Sequence, residues 1–441
     1  MIEYTTSMPS TSKGTETSAA EARPSGEQQV IAKRQGLIDP LDDHYWNQIA
    51  EDTESLRLDP HLLDRVSQLI EFRGYAGSSQ PPTLVYVAMT SRLFPRPMNV
   101  NISGESAIGK NQTAEAAIKL HPTGAVHIVS AASPMAMVYE KENFQHRHIF
   151  FMEADSIPED GRAGSAIRSL AADNVFRYSV VEYDKETGES QTRTIVKDGP
   201  TGLLTTTTKS LDPQLSTRML EIQLRDDPSQ TRTIMEAQAE RVNPPKVYAD
   251  EIDTELMLFV WLQEYLVARG EWRVAVPFAP TLSRLVPSTA VRMRRDFMQL
   301  LTCIQAVALL YQWQRPRTPE GWVEASVEDY GRARELLAPI FDTTAAEGLT
   351  DAVHATVLAI DQKERDIALP TLMKRLRRSK TSVQRRVQKA IEGGWLINDE
   401  KEPGYPARLR RGAPLPAVVS ALPTVEELVK ALGSTTPSTV H

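Results

Sequence analysis

Residues 104–111 read GESAIGKN, and no other stretch limits the fold of this 441-residue chain so tightly. The segment before it, MNVNIS, has the composition of a short buried strand, and TAEAAIKL after it is helical. In a strand, loop, helix context, Gly-x4-Gly-Lys has a physical meaning. The glycines let backbone N–H groups wrap a phosphate chain, the lysine meets the β and γ oxygens, and the helix N-terminus adds its dipole. Gly104, Glu105, Ser106, Ala107, Ile108, Gly109, Lys110, Asn111 and Gln112 are therefore the candidate phosphate contacts. The motif predicts an α/β P-loop NTPase core.

Asn111 stands where such loops place a Ser or Thr whose hydroxyl holds Mg2+. An amide oxygen also coordinates a hard cation, directly or through water, so Asn111 is carried as a candidate metal ligand. A nucleotide site of this kind needs an acid at the tip of a neighbouring buried strand. HIFFMEAD supplies it, with Ile149 to Met152 as the strand and Glu153 and Asp155 at its end, ~40 residues after Lys110. The two acids are separated by Ala154, and the sequence does not say which would hold metal and which would polarise water. Further on, GLLTTTT ends in hydroxyls at Thr206 and Thr207, and LSTRMLEIQL carries Arg218.

Around these motifs the chain divides by composition. Residues 1–36 are rich in Ser, Thr, Glu and Gly, too poor in large apolar side chains to offset the entropy of ordering, and predict a disordered tail. Residues 37–82 read as a helical lead-in, with Leu62, Val66 and Ile70 on one face. From 83 to 230, short apolar segments, LVYVAM among them, alternate with helices and predict a parallel sheet covered on both faces. Residues 231–341 read as an all-helical lid domain, 342–413 as a basic helix-turn-helix module with a hairpin, and 414–441 as a tail with a short apolar helix.

The net charge is −7 with 24% charged residues, which argues against a surface that coats nucleic acid and makes any such site local. The one cysteine, Cys303, sits in an apolar helical run and fits a buried thiol in a reducing cytoplasm. No apolar run approaches the ~18 residues needed to span a bilayer, and the first residues lack a signal-peptide layout.

GESAIGKN, SPMAMVYEKENFQHRHIFFMEAD, GPTGLLTTTT, LSTRMLEIQL and RMRRDFMQLL follow in the order seen in AAA+ ATPases. Over roughly residues 60–412 the arrangement resembles the minichromosome-maintenance-like replicative helicases of phages and other mobile elements. The resemblance implies that Thr206 or Thr207 senses the γ-phosphate, and that Arg218 reaches into a neighbouring subunit's site to offset transition-state charge. It implies that Arg292 and Arg295, with Arg294 between them, belong to a lid segment contacting nucleotide. The hairpin YSVVEYDKETGESQTRTIVKDG would project into a ring's pore and offer Lys185, Arg193 and Lys197 to DNA; a solvent-exposed charged hairpin is the alternative reading.

Near the C-terminus, TLMKRLRRSKTSVQRRVQKAIEGGWLIN reads as a short helix, a turn at Ser379, a second helix with Val383, Val387 and Ile391 on one face, and a Gly-Gly stop before a hairpin. This is the pattern of a winged helix-turn-helix. Eight Lys or Arg and no acid lie between Lys374 and Lys389. Lys380, Thr381, Ser382, Gln384, Arg385 and Gln388 are candidates to enter a groove, and Lys389, Arg408, Arg410 and Arg411 to meet phosphates. Winged helices also dock proteins, which is the competing reading.

The sequence thus predicts a cytoplasmic, hexameric, ATP- and Mg2+-dependent DNA helicase or translocase in replication of a mobile element, working with other replication proteins. The alternative is an ATP-regulated DNA-binding switch or loader with weak or no hydrolysis.

Overall fold

The computed structural model describes residues 26–35, 37–39, 41–129, 143–154, 162–183, 190–209, 211, 213–224, 228–241, 249–286, 293–345, 351–400, 402, 405–413, 415 and 421–433. Seven strands occupy its first half: β1 (Val100–Ser103), β2 (Val126–Val129), β3 (Arg147–Phe151), β4 (Phe176–Tyr183), β5 (Ser190–Lys197), β6 (Thr201–Thr207) and β7 (Leu220–Gln223). Five of them form one sheet in the order β2-β3-β6-β1-β7, every pairing parallel. β4 and β5 make a separate antiparallel ribbon of eight residue pairs.

Strands β3 and β6 are buried along their whole length, as central parallel strands covered on both faces must be. The threonines of β6 satisfy that burial by pairing sideways. Thr205 donates to Asn101 Oδ1 at 2.8 Å, and Asn101 Nδ2 donates to the Thr207 hydroxyl at 3.2 Å. β1 and β6 are thereby joined by side-chain as well as backbone hydrogen bonds.

Before the sheet come α1 (Gly26–Arg34), α2 (Asp43–Asp52), α3 (Glu54–Arg57), α4 (Leu62–Phe72) and α5 (Gln80–Thr90). Two of these differ from expectation. α1 lies inside the stretch whose composition predicts a disordered tail; Ile31 and Ala32 are buried there, and Gln28 Nε2 donates to Gly270 O at 2.7 Å. A few apolar residues suffice because they join a core that already exists. LVYVAM reads as a strand but forms the middle of α5, buried from Leu84 to Met89. A short run that is apolar all round carries no period to separate strand from buried helix, and here prolines 81 and 82 start the helix.

Within and after the sheet lie α6 (Lys110–Ile118), α7 (Arg162–Asp173), α8 (Pro213–Ser216), α9 (Pro228–Arg241), α10 (Ala249–Arg269), α11 (Ala279–Leu285), α12 (Met293–Leu310) and α13 (Val327–Ala345). One sheet face, with Val100, Ile102, Phe150 and Leu204, shares a continuous core with α4, α5, α10, α12 and α13. The other face, with Ile149, Phe151 and Leu203, packs on α7. The lead-in, one sheet face and the helical segment therefore share one packed core.

A smaller core holds the C-terminal module: α14 (Asp351–Leu358), α15 (Leu369–Leu376), α16 (Lys380–Glu392) and the antiparallel pair β8 (Leu396–Asn398) and β9 (Leu409–Arg411). Val383 and Val387 of α16 pack there with Leu372, Trp395 and Leu409, and Ile391 is partly buried against them. A last helix, α17 (Val425–Gly433), returns to the larger core, where Tyr330 and Arg334 both donate to Pro423 O.

Candidate functional site

The loop between β1 and α6 is held open by backbone geometry that few residues adopt. Gly109 has φ +94°, and a Cβ on Gly104 would come within 3.0 Å of the Leu224 carbonyl, so both positions suit only glycine. Ala107 takes φ +66° without that excuse, a local strain of the sort found where a ligand fixes the backbone. Lys110 opens α6 and is buried; its ammonium donates to Gly104 O at 2.9 Å and to Glu105 O at 2.6 Å. The lysine thus lies over its own loop, in the place where phosphate oxygens would compete for it.

Strand order brings the other groups to this loop. β6 lies between the loop strand β1 and the acid-tipped strand β3, so the C-terminal end of β6 stands between Lys110 and Glu153. There Thr206 donates its hydroxyl hydrogen to Asn111 Oδ1 at 2.8 Å and accepts the Glu153 N–H at 3.0 Å. Three segments separated by up to a hundred residues in sequence meet on one buried hydroxyl. Glu153 itself is exposed and has φ +56°, a left-handed conformation that aims the chain out of the strand end. Thr207, the alternative to Thr206, points into the β1–β6 ladder, and only its carbonyl reaches the loop, accepting from Gly104 N–H at 3.3 Å.

A cavity of about 240 Å3 runs alongside α6, lined by Ile70, Arg73, Tyr75, Gln112, Ala116 and Lys119. Gln112 connects it to the loop, for its Oε1 sits 3.6 Å from where a Gly109 Cβ would be. The Tyr75 ring is fixed by a 2.8 Å hydrogen bond between its hydroxyl and Thr113 Oγ1, and Thr113 donates in turn to Gly109 O. Arg73 pairs with Asp253 of α10 at 2.7 Å. Tyr75 follows a glycine at the end of the lead-in, in no recognisable motif that would single it out.

Not every expected group converges. Arg218 lies just before β7, at the end of the sheet where Leu220 pairs with Val100, whereas the phosphate loop follows the opposite end of β1. Its guanidinium donates to Arg168 O at 2.9 Å. Arg295 is exposed and donates to Thr217 O at 3.5 Å, beside Arg218 and not beside Lys110. Asp155, Arg292 and Lys185 lie outside the described residues.

As to Mg2+, the residues at the loop fit a triphosphate better than they fit the metal. Asn111 Oδ1 already accepts the Thr206 hydroxyl hydrogen, and the Glu153 carboxylate at the tip of β3 is the acid that would serve a cation there. Among the described residues no cluster of three or more His, Cys, Asp or Glu side chains could hold a metal.

In the C-terminal module, Lys380, Thr381, Gln384, Arg385 and Gln388 are exposed on α16, and Ser382 and Lys389 are half-buried. The arginines of the C-terminal hairpin are already engaged: Arg408 with Asp366 at 2.8 Å, Arg410 with Asp399 at 2.7 Å, and Arg411 with the Ile360 carbonyl at 2.6 Å. Lys374 of α15 and Arg377 and Arg378 at the turn into α16, counted in the basic cluster but not singled out as contacts, are also exposed. On the β4–β5 ribbon, Arg193 is exposed opposite Val180, while Lys197 pairs with Phe176 at the base and holds its ammonium 5.5 Å from the Phe144 ring centre.

Residues 80–263 match the MTBMA_p00010 P-loop domain family, the stretch that holds the loop, the acid-tipped strand and Thr206. This part of the chain is similar to a P-loop domain, with the parallel sheet that such a fold requires. No curated protein matches the chain significantly. A crystal structure of NtrX from Brucella abortus aligns over 68% of this chain and 65% of that one, at 13% identity and a TM-score of 0.23. The chain therefore spans less than two thirds of that relative's length, and the overlay is too loose to bear on fold or function. No helix among the described residues is long and apolar enough to cross a membrane.

Proposed function

We propose that the protein is an AAA+ ATPase that moves along or unwinds DNA as a hexameric ring, with residues 231–341 as its lid and residues 342–413 as a winged helix. The observation that carries the reading is the Thr206 hydroxyl joined to both Asn111 and the Glu153 backbone. It sets the phosphate loop, a polar sensor and an acid within reach of one ligand, the arrangement that lets γ-phosphate cleavage be felt by the fold. ATP is the ligand, with its triphosphate on residues 104–112 and its nucleoside in the cavity beside Tyr75. Mg2+ accompanies the triphosphate, with Glu153 and Asp155 as the acids on its side.

Arg218 faces away from its own loop, and this supports a role in a neighbouring subunit's site, the geometry a ring requires. The exposed cations of α15, the turn and α16 supply the local basic surface that a chain of net charge −7 needs to hold DNA. The role belongs to replication of a mobile element in the cytoplasm, alongside other replication proteins. The test is DNA-stimulated ATP hydrolysis. It should vanish in Lys110→Ala and in Arg218→Ala, and mixing the two variants should restore part of it; turnover that survives either variant, or a mixture that stays inactive, counts against the ring motor.

A second reading, a DNA-binding switch or loader that turns over slowly, is favoured by Asn111, whose side chain lacks the hydroxyl that ordinarily holds the metal. DNA binding that responds to ATP without turnover selects it.

A further inference from the structure

Position 111 is where this loop departs from its kind, and the structure gives the departure a chemistry. An asparagine side chain has one atom able to ligate a cation, Oδ1, and one amide nitrogen carrying two donors. The Thr206 hydroxyl oxygen already accepts the Glu153 N–H at 3.0 Å. It donates its own hydrogen to Asn111, and the receiving atom, 2.8 Å away, is Oδ1. Thr206 is fully buried on a strand bonded on both sides, so this contact is set by the sheet and not by a mobile side chain. Asn111 Nδ2 has no partner among the described residues. It sits in the first turn of α6 beside Lys110, where the helix's unpaired N–H groups and dipole favour an anion.

We propose that Asn111 is a phosphate-binding residue and not a metal ligand. Its amide hydrogens donate to an oxygen of the nucleotide's phosphate chain, and Thr206 is the positioning residue that holds the amide in that orientation. The inference rests on the nucleotide reading given above. Its consequence is that the loop captures a nucleoside triphosphate without needing a divalent cation, because the group that would tie the metal to the loop has become a direct donor.

The experiment is a calorimetric titration of the full chain with ATP, once with Mg2+ and once with EDTA. Wild-type affinity should differ by less than about threefold between the two buffers. Asn111→Thr, which replaces the donor by a hydroxyl, should bind about tenfold more weakly in EDTA and recover in Mg2+, the loss of one hydrogen bond to a charged group. Thr206→Val should acquire the same metal dependence by releasing Oδ1, whereas Thr206→Ser, which keeps the hydroxyl, should behave as wild type; circular dichroism confirms that each variant is folded. A wild type that loses tenfold or more in EDTA overturns the assignment, as does an Asn111→Thr variant with no greater metal dependence than wild type. Failure of the nucleotide reading itself looks different: no heat of binding in either buffer, or a Lys110→Ala variant that binds as tightly as wild type.

Discussion

The nucleotide site and the C-terminal basic module solve opposite problems. At the first, Lys110, Asn111, Thr206 and Glu153 come from three distant segments and are placed by strand order, with Lys110 and Thr206 buried. At the second, the candidate contacts are neighbours on one helix and its preceding turn, mostly exposed, in a small domain with its own core. Buried polar groups in a low-dielectric site depend on one another, and removing one strands its partners. Exposed cations facing a polyanion act nearly independently, each adding a similar increment that salt can screen.

The sharpest way to break this contrast is Lys110→Ala. ATP turnover should fall by a hundredfold or more, roughly the effect of deleting a preorganised charge at a reacting phosphate; a drop of only a few fold would mean that the buried site is no more cooperative than the exposed one. Acid is the next test. His148, on β3, is held to a pKa of about 4 by burial, against which its hydrogen bond to Met98 O works, with the buried Arg92 charge lowering it further. His121 is lowered in the same way. A base whose folded pKa lies below its unfolded value gives stability that is complete above pH 6.5 and is lost as pH falls toward 4. His148 alone should make the protein about 2 kcal/mol less stable to urea at pH 5 than at pH 7, and His121 adds to the loss. Stability unchanged over that window would show that the sheet's polar interior tolerates charge.

Thr206→Val should cost about 1–2 kcal/mol in the same unfolding assay, because it leaves the Glu153 N–H and Asn111 Oδ1 unanswered. A cost near zero would mean that the three segments meet without depending on one another. The smallest effects belong to the module. Lys380→Ala and Arg385→Ala should each weaken DNA binding a few fold, add when combined, and each reduce the salt slope by about one unit; non-additive losses would say that α16 reads DNA as a coupled set.

The legibility of the two regions follows the same division. The phosphate loop was readable because its chemistry is local, and the two helices at 369–376 and 380–392 because their periodicity is. The convergence of Thr206 on Asn111 and Glu153 was not, since a run of four threonines does not say which hydroxyl faces the loop; only register and strand order choose Thr206 over Thr207. Tyr75 and its cavity were invisible for the same reason, being made by a lead-in segment folding onto α6. LVYVAM misled because burial on all sides erases the period that distinguishes helix from strand. Arg408, Arg410 and Arg411 looked like free phosphate contacts because a sequence shows charges but not the carboxylates and carbonyls that meet them in the fold.

The most direct test of the central claim is equilibrium binding of ATP to the intact chain, wild type beside Lys110→Ala, at fixed Mg2+. Saturable one-to-one uptake that is lost in the variant is the expected result. Equal uptake by the two proteins, or none by the wild type, would contradict the claim that the loop at Lys110 is where this protein holds its nucleotide.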